Sequence, residues 1–409
     1  MNTFVLCAAM AAALLPGLAR AAPLTLEAAL EAAVQRSEAA TAGRAGLQSA
    51  SEASRAAGQL PDPTLNVGVE NLPVTGPDRL HSARDSMTMK RIGFSQEWLS
   101  GDKRAARRNA ADAQVARQEV TVRVAQAETR LQTALAFLDA FYAGEVLKVT
   151  TLMEHHAHEE LEAARGRLSS ASGSGQEVLA LTAARGAAED ESDEVRQQQS
   201  AALVQLERWV GRRADHLVAP SETPIATEQE YVEANPLVAA LRGDAEVARR
   251  EASVTAANRD PNWTWGVSYG QRTGFSDMVT FGVSIPIPLA PHERQDRDTA
   301  AKLALAAKAE ADLAEAMRTA TADYRGLLSD VRRLEDRVAR FRSGVVTPAS
   351  QRTSVALAAY GGSQAALVTL FEARHAEVEA QRKLLNLQRD LAKAKAQLAF
   401  KPLATGAGL

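Results

Sequence analysis

The sequence has a single cysteine in 409 residues, at position 7 inside an apolar run. The rest of the chain therefore has no disulfide, no thiol nucleophile and no cysteine metal site. Aromatics are scarce at 4%, although apolar residues reach 46%, because alanine supplies so much of the total. Such a composition builds closely packed helices rather than a bulky globular core. Basic charge is not in excess: 47 Lys and Arg face 50 Asp and Glu, a net of −3, so a polybasic footprint for nucleic acid is absent. After residue 21 there is no apolar run of about 18 residues, which excludes a helical anchor and an inner-membrane pump. A catalytic set is missing too. Serines lack matched histidine and acid partners, there is no phosphate-binding glycine loop, and carboxylates scatter along helix faces. The reading is a non-enzyme without cofactor, and energy for any transport must come from a partner.

What is present begins with an apolar run from Phe4 to Leu18 followed by Ala19-Arg20-Ala21, which reads as a signal peptide over 1–21. Cys7 has too little apolar sequence before it to serve as a lipoprotein cysteine. The most informative stretch is Asp260 to Pro288. There Trp263, Trp265, Val267 and Tyr269 alternate with Thr264, Gly266 and Ser268, and Val279, Phe281, Val283 and Ile285 alternate with Thr280, Gly282 and Ser284. This is a period-2 hairpin with one aromatic and apolar face and one small, polar face. No other strand-like run can supply a second sheet to cover the apolar face. Lipid is the remaining apolar solvent, and strands of roughly 9 to 11 residues with terminal Trp and Tyr fit an outer-membrane barrel.

The chain reads as an internal duplication. Asp62-Pro63, Leu65, Val67, Gly68 and Val69 match Asp260-Pro261, Trp263, Trp265, Gly266 and Val267 at a constant offset of 198. Downstream, Gly93, Ser95, Gly173, Leu181 and Arg185 match Gly282, Ser284, Gly362, Leu370 and Arg374 at an offset of 189. The period is too long for a solenoid, so two tandem modules are predicted: 22–211 with a hairpin at 63–98 and a tip at 169–175, and 236–400 with a hairpin at 262–288 and a tip at 360–363. Residues 212–235, with Pro220 and Pro224, form a linker, and 401–409 form a flexible tail.

Within the first module Thr25 caps a helix to about Gly58, which Pro61 and Pro63 end. Strands follow at about 63–71 and 87–98. Ile92, Phe94 and Trp98 are out of phase with Met87 and Met89, which predicts a bulge near Lys90 or Arg91. A helix then runs to about Leu168, roughly 100 Å at 1.5 Å per residue. Along it Val120, Val124, Ala127, Leu131, Ala134, Leu138 and Phe141 step as a coiled-coil seam. The last helix repeats the pattern through Ala366, Leu370, Ala373, Glu377, Ala380, Leu384, Leu387, Leu391, Ala394 and Leu398. Taken alone, these helices describe a simple bundle.

Four strands per chain cannot close a barrel, and an open edge in lipid leaves backbone groups unpaired, so chains must pool strands. Three chains give twelve strands and room for a lumen lined by Thr264, Gly266, Ser268, Thr280, Gly282 and Ser284. Trp98, Trp263, Trp265 and Tyr269 read as the interfacial girdle. The fold class is thus mainly α with transmembrane β: a long coiled-coil helical barrel continued by a trimeric, twelve-stranded outer-membrane barrel.

The duplicated helix-hairpin-helix, the Gly-x-Ser strands Gly93-Phe94-Ser95 and Gly282-Val283-Ser284, the Gly101-Asp-Lys-Arg opening and the Tyr360 to Arg374 tip resemble the TolC family of outer-membrane efflux ducts. Leu60-Pro-Asp-Pro, Asn71-Leu-Pro-Val and Asp85-Ser-Met-Thr-Met are similar to its heavy-metal branch, the CzcC-like and CusC-like proteins. The resemblance implies a homotrimer in outer-membrane lipid with a periplasmic extension, docked to a periplasmic adaptor and an inner-membrane RND-type proton-driven pump. It implies adaptor contact at Leu168, Gly173, Ser174 and Gly175 and at Tyr360, Gly361, Gly362 and Ser363, where glycine otherwise only shapes a turn. It also implies a periplasmic gate at Glu372, which otherwise is a solvated helix residue; three copies would form an acidic ring attractive to cations.

His155 with His158 or Glu159 has helical spacing for a divalent ion, and Met87 with Met89 would suit Cu(I). Solvation and packing explain both without a metal, and no metal site is assigned. The function expected is passive export of heavy-metal cations. The same duct could serve drug efflux or type I protein secretion, and the reading from another class is a soluble periplasmic coiled-coil adaptor.

Overall fold

The computed structural model describes residues 23–214, 216–221, 224–362 and 364–404. The signal segment 1–21, Cys7 and Ser363 lie outside them, as do residues 405–409 of the tail. The chain divides into two compact units, one comprising the described residues up to Arg36, Thr129–Pro224 and Asp330–Ala396, the other Ser37–Glu128, Ile225–Ser329 and the residues from Gln397.

The first helix expected from the sequence is two. Helix α1 spans Leu26–Arg36 and α2 spans Glu38–Ala57. Ser37 separates them in an extended conformation and accepts the Ala40 N–H on its hydroxyl at 3.2 Å. A serine offered this local bond leaves the helix and starts a new one. At the start of α1, Ala28 N–H donates to Thr25 Oγ1 at 3.2 Å.

Strands β1 (Thr64–Glu70), β2 (Met89–Trp98), β3 (Trp263–Gln271) and β4 (Met278–Ser284) form one antiparallel sheet in the order β1-β2-β3-β4. Pairing of β2 with β3 therefore joins the hairpins of the two modules. The expected bulge is absent: β2 keeps an unbroken register from Glu70↔Met89 to Thr64↔Ser95 on one side and from Lys90↔Gln271 to Trp98↔Trp263 on the other. Met89 instead turns to the polar face, where Gly270 makes room; a Cβ there would lie 2.6 Å from the Met89 sulfur. Met87 is not on a strand at all but in the turn before β2, 59% exposed, so the two thioethers do not share a strand face.

Helix α3 runs uninterrupted over Gly101–Ser169, 69 residues, and α4 over Gly175–Val210. The linker contains a short helix α5 (Glu228–Glu233) with a Thr227/Glu230 capping box, followed by α6 (Pro236–Ala257), whose N-cap is Asn235. In the second module α7 (Gln295–Phe341) passes through a π turn at Arg342–Val346 into α8 (Thr347–Gly361), and α9 (Leu367–Phe400) returns. The π turn has a local cause. Pro348 has no N–H, and its ring would clash with the carbonyl one turn back in an α-helix. Widening to i→i−5 bonding, with Thr347 N–H on the Arg342 carbonyl, relieves the conflict. No helix among the described residues is long and apolar enough to cross a membrane.

Seam residues Ala127, Leu131, Ala134 and Leu138 of α3 and Leu370, Ala373, Ala380, Leu387, Ala394 and Leu398 of α9 are buried; Ala366 precedes α9 and is exposed. The tail is not loose throughout. Leu403 is buried and its N–H donates to the Ala234 carbonyl at 2.7 Å, while Lys401 pairs with Asp323 at 3.1 Å and lies over the Tyr231 ring. These contacts fix residues 401–403 against the linker helix and α7.

Candidate functional site: a two-faced sheet and a double tip

Register decides which side chains share a face of the sheet. Leu65, Val67 and Val69 of β1 lie across from Phe94, Ile92 and Lys90, and β2 continues through Gln96 and Trp98. Trp263, Trp265, Val267 and Tyr269 of β3 join them, then Val283, Phe281 and Val279 of β4. This apolar face is bare: Val67 is 74% exposed, Phe281 81% and Val283 63%. At the helix end of the sheet Trp98 and Trp263 rings sit 5.9 Å apart, and at the loop end the Tyr269 hydroxyl hydrogen-bonds Asp277. The aromatics named from the sequence thus mark both ends of the apolar band.

The opposite face carries Asn66, Gly93, Ser268 and Thr280 in one row and Thr64, Ser95, Gly266 and Gly282 in the next. All six residues expected to line a lumen, Thr264, Gly266, Ser268, Thr280, Gly282 and Ser284, are here together. Gly93 is required by closeness: a Cβ on it would meet that of Ser268 at 2.9 Å. Sequence reading missed three charged side chains on this face. Arg91 donates through Nη1 to Glu70 at 2.6 Å and through Nε to Ser268 Oγ at 2.8 Å, and Glu97 accepts from Asn262 at 2.8 Å. Their phase in the alternation of β1 and β2 was the available signal. Just beyond β2, buried Lys103 of α3 bonds the Asp260 carbonyl and Asn262 Oδ1, tying the helix start to the second hairpin.

The second assembly is built on the C-terminal end of α3. Leu161, Ala164, Leu181, Ala356, Leu367 and Leu370 form one buried cluster against which Tyr360 and Val178 pack, so the two tips, distant in sequence, stand side by side. Burial of each leucine contributes about 1.5–3 kcal/mol. Glu177, at the start of α4, accepts the Leu367 N–H at 3.2 Å and faces Arg167 at 3.7 Å, a cross-tip link not foreseen from the sequence. Glu160 of α3 and Arg374 of α9 form a second, with Nη1 to Oε1 at 2.6 Å and Glu160 4% exposed.

Tip glycines act differently from expectation. The left-handed residue of the first tip is Ala171, φ 57°, whereas Gly173 is needed because a Cβ would come within 2.9 Å of the Leu168 N. Ser174 caps α4, so Gly175 is its first helical residue. In the second tip Tyr360 and Gly361 still belong to α8, and Gly362 and 364–366 lie outside both helices. Leu168, Ser174, Gly175, Gly361 and Gly362 are exposed, as is Glu372 on the second turn of α9.

His155 and His156 both lie near Glu159, at 3.2 and 3.3 Å, and His158 is exposed. Among the described residues no three His, Cys, Asp or Glu converge to hold a metal ion.

No protein-family model matches the chain, and no curated protein matches it. Solved structures do. The outer membrane protein VceC of Vibrio cholerae superposes with a TM-score of 0.74 at 18% identity over 92% of this chain and 96% of its own. The CmeC outer membrane channel of Campylobacter jejuni gives 0.76 at 12% identity over 92% and 85%. The chain has the fold of the outer-membrane channels. CusC, a protein that forms a transmembrane channel, gives 0.75 at 12% identity over 92% of this chain and 91% of its own. In this channel fold long helices continue from four strands per chain, as the order of elements here requires.

Proposed function

We propose that this chain is the outer-membrane duct of a tripartite efflux system, a member of the TolC family, and a passive conduit rather than an enzyme. Three copies pool their sheets into one closed barrel in lipid, and the long helices extend it into the periplasm. The paired tips then meet a periplasmic adaptor served by a proton-driven inner-membrane pump. The observation that carries this reading is the bare apolar face of a four-stranded sheet whose edge strands β1 and β4 each have one neighbour. In lipid every backbone polar group must be paired, so such edges are completed by sister chains. In water the same face would be an aggregation site.

Adaptor contact is assigned to Leu168, Gly173, Ser174, Gly175, Tyr360, Gly361 and Gly362, and the periplasmic constriction to Glu372. The cargo class proposed is heavy-metal cations, on the resemblance of the Leu60-Pro-Asp-Pro, Asn71-Leu-Pro-Val and Asp85-Ser-Met-Thr-Met segments to the heavy-metal branch. Fractionation tests the duct. The mature protein should require detergent and purify from outer membrane as a trimer; recovery as a water-soluble monomer in the periplasm sinks the reading in favour of a soluble adaptor. Growth of a deletion strain on copper, silver, zinc, cobalt and cadmium tests the cargo. Sensitivity to organic drugs with none to metals reassigns the cargo and leaves the duct standing.

A further inference from the structure

The polar face of the sheet is paved with glycine and small hydroxyl side chains, and one long cation crosses it. Arg91 on β2 lies opposite Gly68 on β1 and Gly270 on β3, so neither neighbour in its row has a side chain. The guanidinium is nonetheless fixed, by Ser268 Oγ on Nε at 2.8 Å and by the Glu70 carboxylate on Nη1 at 2.6 Å. These two bonds leave further N–H donors of its five for the fluid above the face. Glu70 is the last residue of β1, and Arg91 is two residues inside the loop end of β2, so the pair stands at the loop-side rim, about 40% exposed on each side.

We infer that Arg91 and Glu70 form the charge-selective element of the lumen at its outer mouth. The inference rests on the duct reading, which turns this face inward and repeats the pair in each of three chains at one level. Fixed charges on a water-filled wall bias which ions enter, and rings of charged side chains are a known means of selectivity. The next two rows toward the helices carry Asn66, Ser95, Ser268 and Thr280, which offer hydrogen bonds but no charge, and Glu97, further along this face, is held by Asn262 at 2.8 Å. The two members of the pair pull in opposite directions, so each can be unmasked by removing the other.

Purified protein in a planar bilayer, under a potassium chloride gradient, reads this directly as a reversal potential. Arg91→Gln should raise the cation-to-anion permeability ratio about twofold or more at 0.1 M salt, where the Debye length is about 10 Å. Glu70→Gln should lower it by a similar factor, and Arg91→Lys, which keeps the charge, should stay near the parent. All shifts should fade at 1 M salt, where screening acts within about 3 Å; a purely structural role would not follow salt in this way. Conducting Arg91→Gln and Glu70→Gln channels with the parent's reversal potential at low salt, or with shifts of the same sign, overturn the inference while the duct stands. A parent protein that assembles no conducting pore overturns the duct reading and this inference with it.

Discussion

In the first module the helix after the hairpin, α3, runs from Gly101 to Ser169 without a break, while in the second the equivalent run is interrupted at Arg342–Val346 before α8 resumes. The hairpins differ as well. The first has a loop of 71–88 and carries Glu70, Met89, Arg91 and Glu97 on its polar face; the second turns within 272–277 and carries only small residues and Met278 there. At the offsets that relate the copies, Arg91 corresponds to Thr280 and Glu70 to Ser268. What the copies share is the alternation that makes two faces and the heptad spacing that buries a seam. What they do not share is charge, which on the duct reading makes the first copy the one that sets the chemistry of the wall.

The largest effect should come from inverting one face of the sheet at adjacent positions of β4. Phe281→Arg places a cation on the bare apolar face, at a cost of about 2–4 kcal/mol per chain near the bilayer midplane. Outer-membrane trimer, measured by heat-resistant mobility in detergent, should be almost lost. Thr280→Arg puts the same side chain on the polar face, in the position that Arg91 holds in the other copy, and trimer yield should stay near the parent. Equal damage from both would mean that the two faces are not lipid and lumen.

The helix break offers the next test. Pro348 corresponds to Glu159 of α3, inside an unbroken helix. Glu159→Pro removes a backbone bond and forces a clash there, a loss of about 3 kcal/mol or more, and should lower the melting temperature followed by circular dichroism. Pro348→Ala, exposed and preceded by a π turn that already accommodates the ring, should change stability by no more than about 0.5 kcal/mol. If Pro348→Ala instead stabilised the protein by several kcal/mol, the π turn would be strained rather than accommodating.

These contrasts also show where sequence reading succeeds. Alternation through Trp263 to Tyr269 and Val279 to Ile285 announces a two-faced hairpin because a strand has period two and one face must find an apolar solvent. Heptad steps through Ala127 to Leu138 announce the buried seam in the same way. Pairing of β2 with β3 was not legible, since the strands are separated by the whole of α3, α4, α5 and α6 and no local pattern names a partner. Phase alone misled at Met89, because the glycine that accommodates it, Gly270, lies on another strand. The break at Ser37 was obscured by helix formers on both sides, and Pro348, the local signal for the π turn, marks a disturbance of the helix without naming its form. The cross-tip links through Glu177 and Glu160 depend on two turns meeting in space.

The smallest expected effect concerns the link from α3 to α9, where the copies again differ: Glu160 corresponds to Ala349. Burial pushes the Glu160 carboxyl up to about 7, against the pull of Arg374, and its second oxygen has no protein partner. A carboxyl whose folded value lies above its ordinary one of 4.5 binds more protons folded than unfolded between those two values. Its contribution to stability is therefore greatest at low pH and declines as pH rises from about 4.5 to about 7. Melting temperatures of the parent should fall across that window beyond the trend set by other groups, and Glu160→Gln, which can still accept from Arg374, should flatten the slope there. Coincident profiles for parent and variant would show that Glu160 stays ionised beside Arg374 throughout, and that the pair is an ordinary ion pair holding the two tips together.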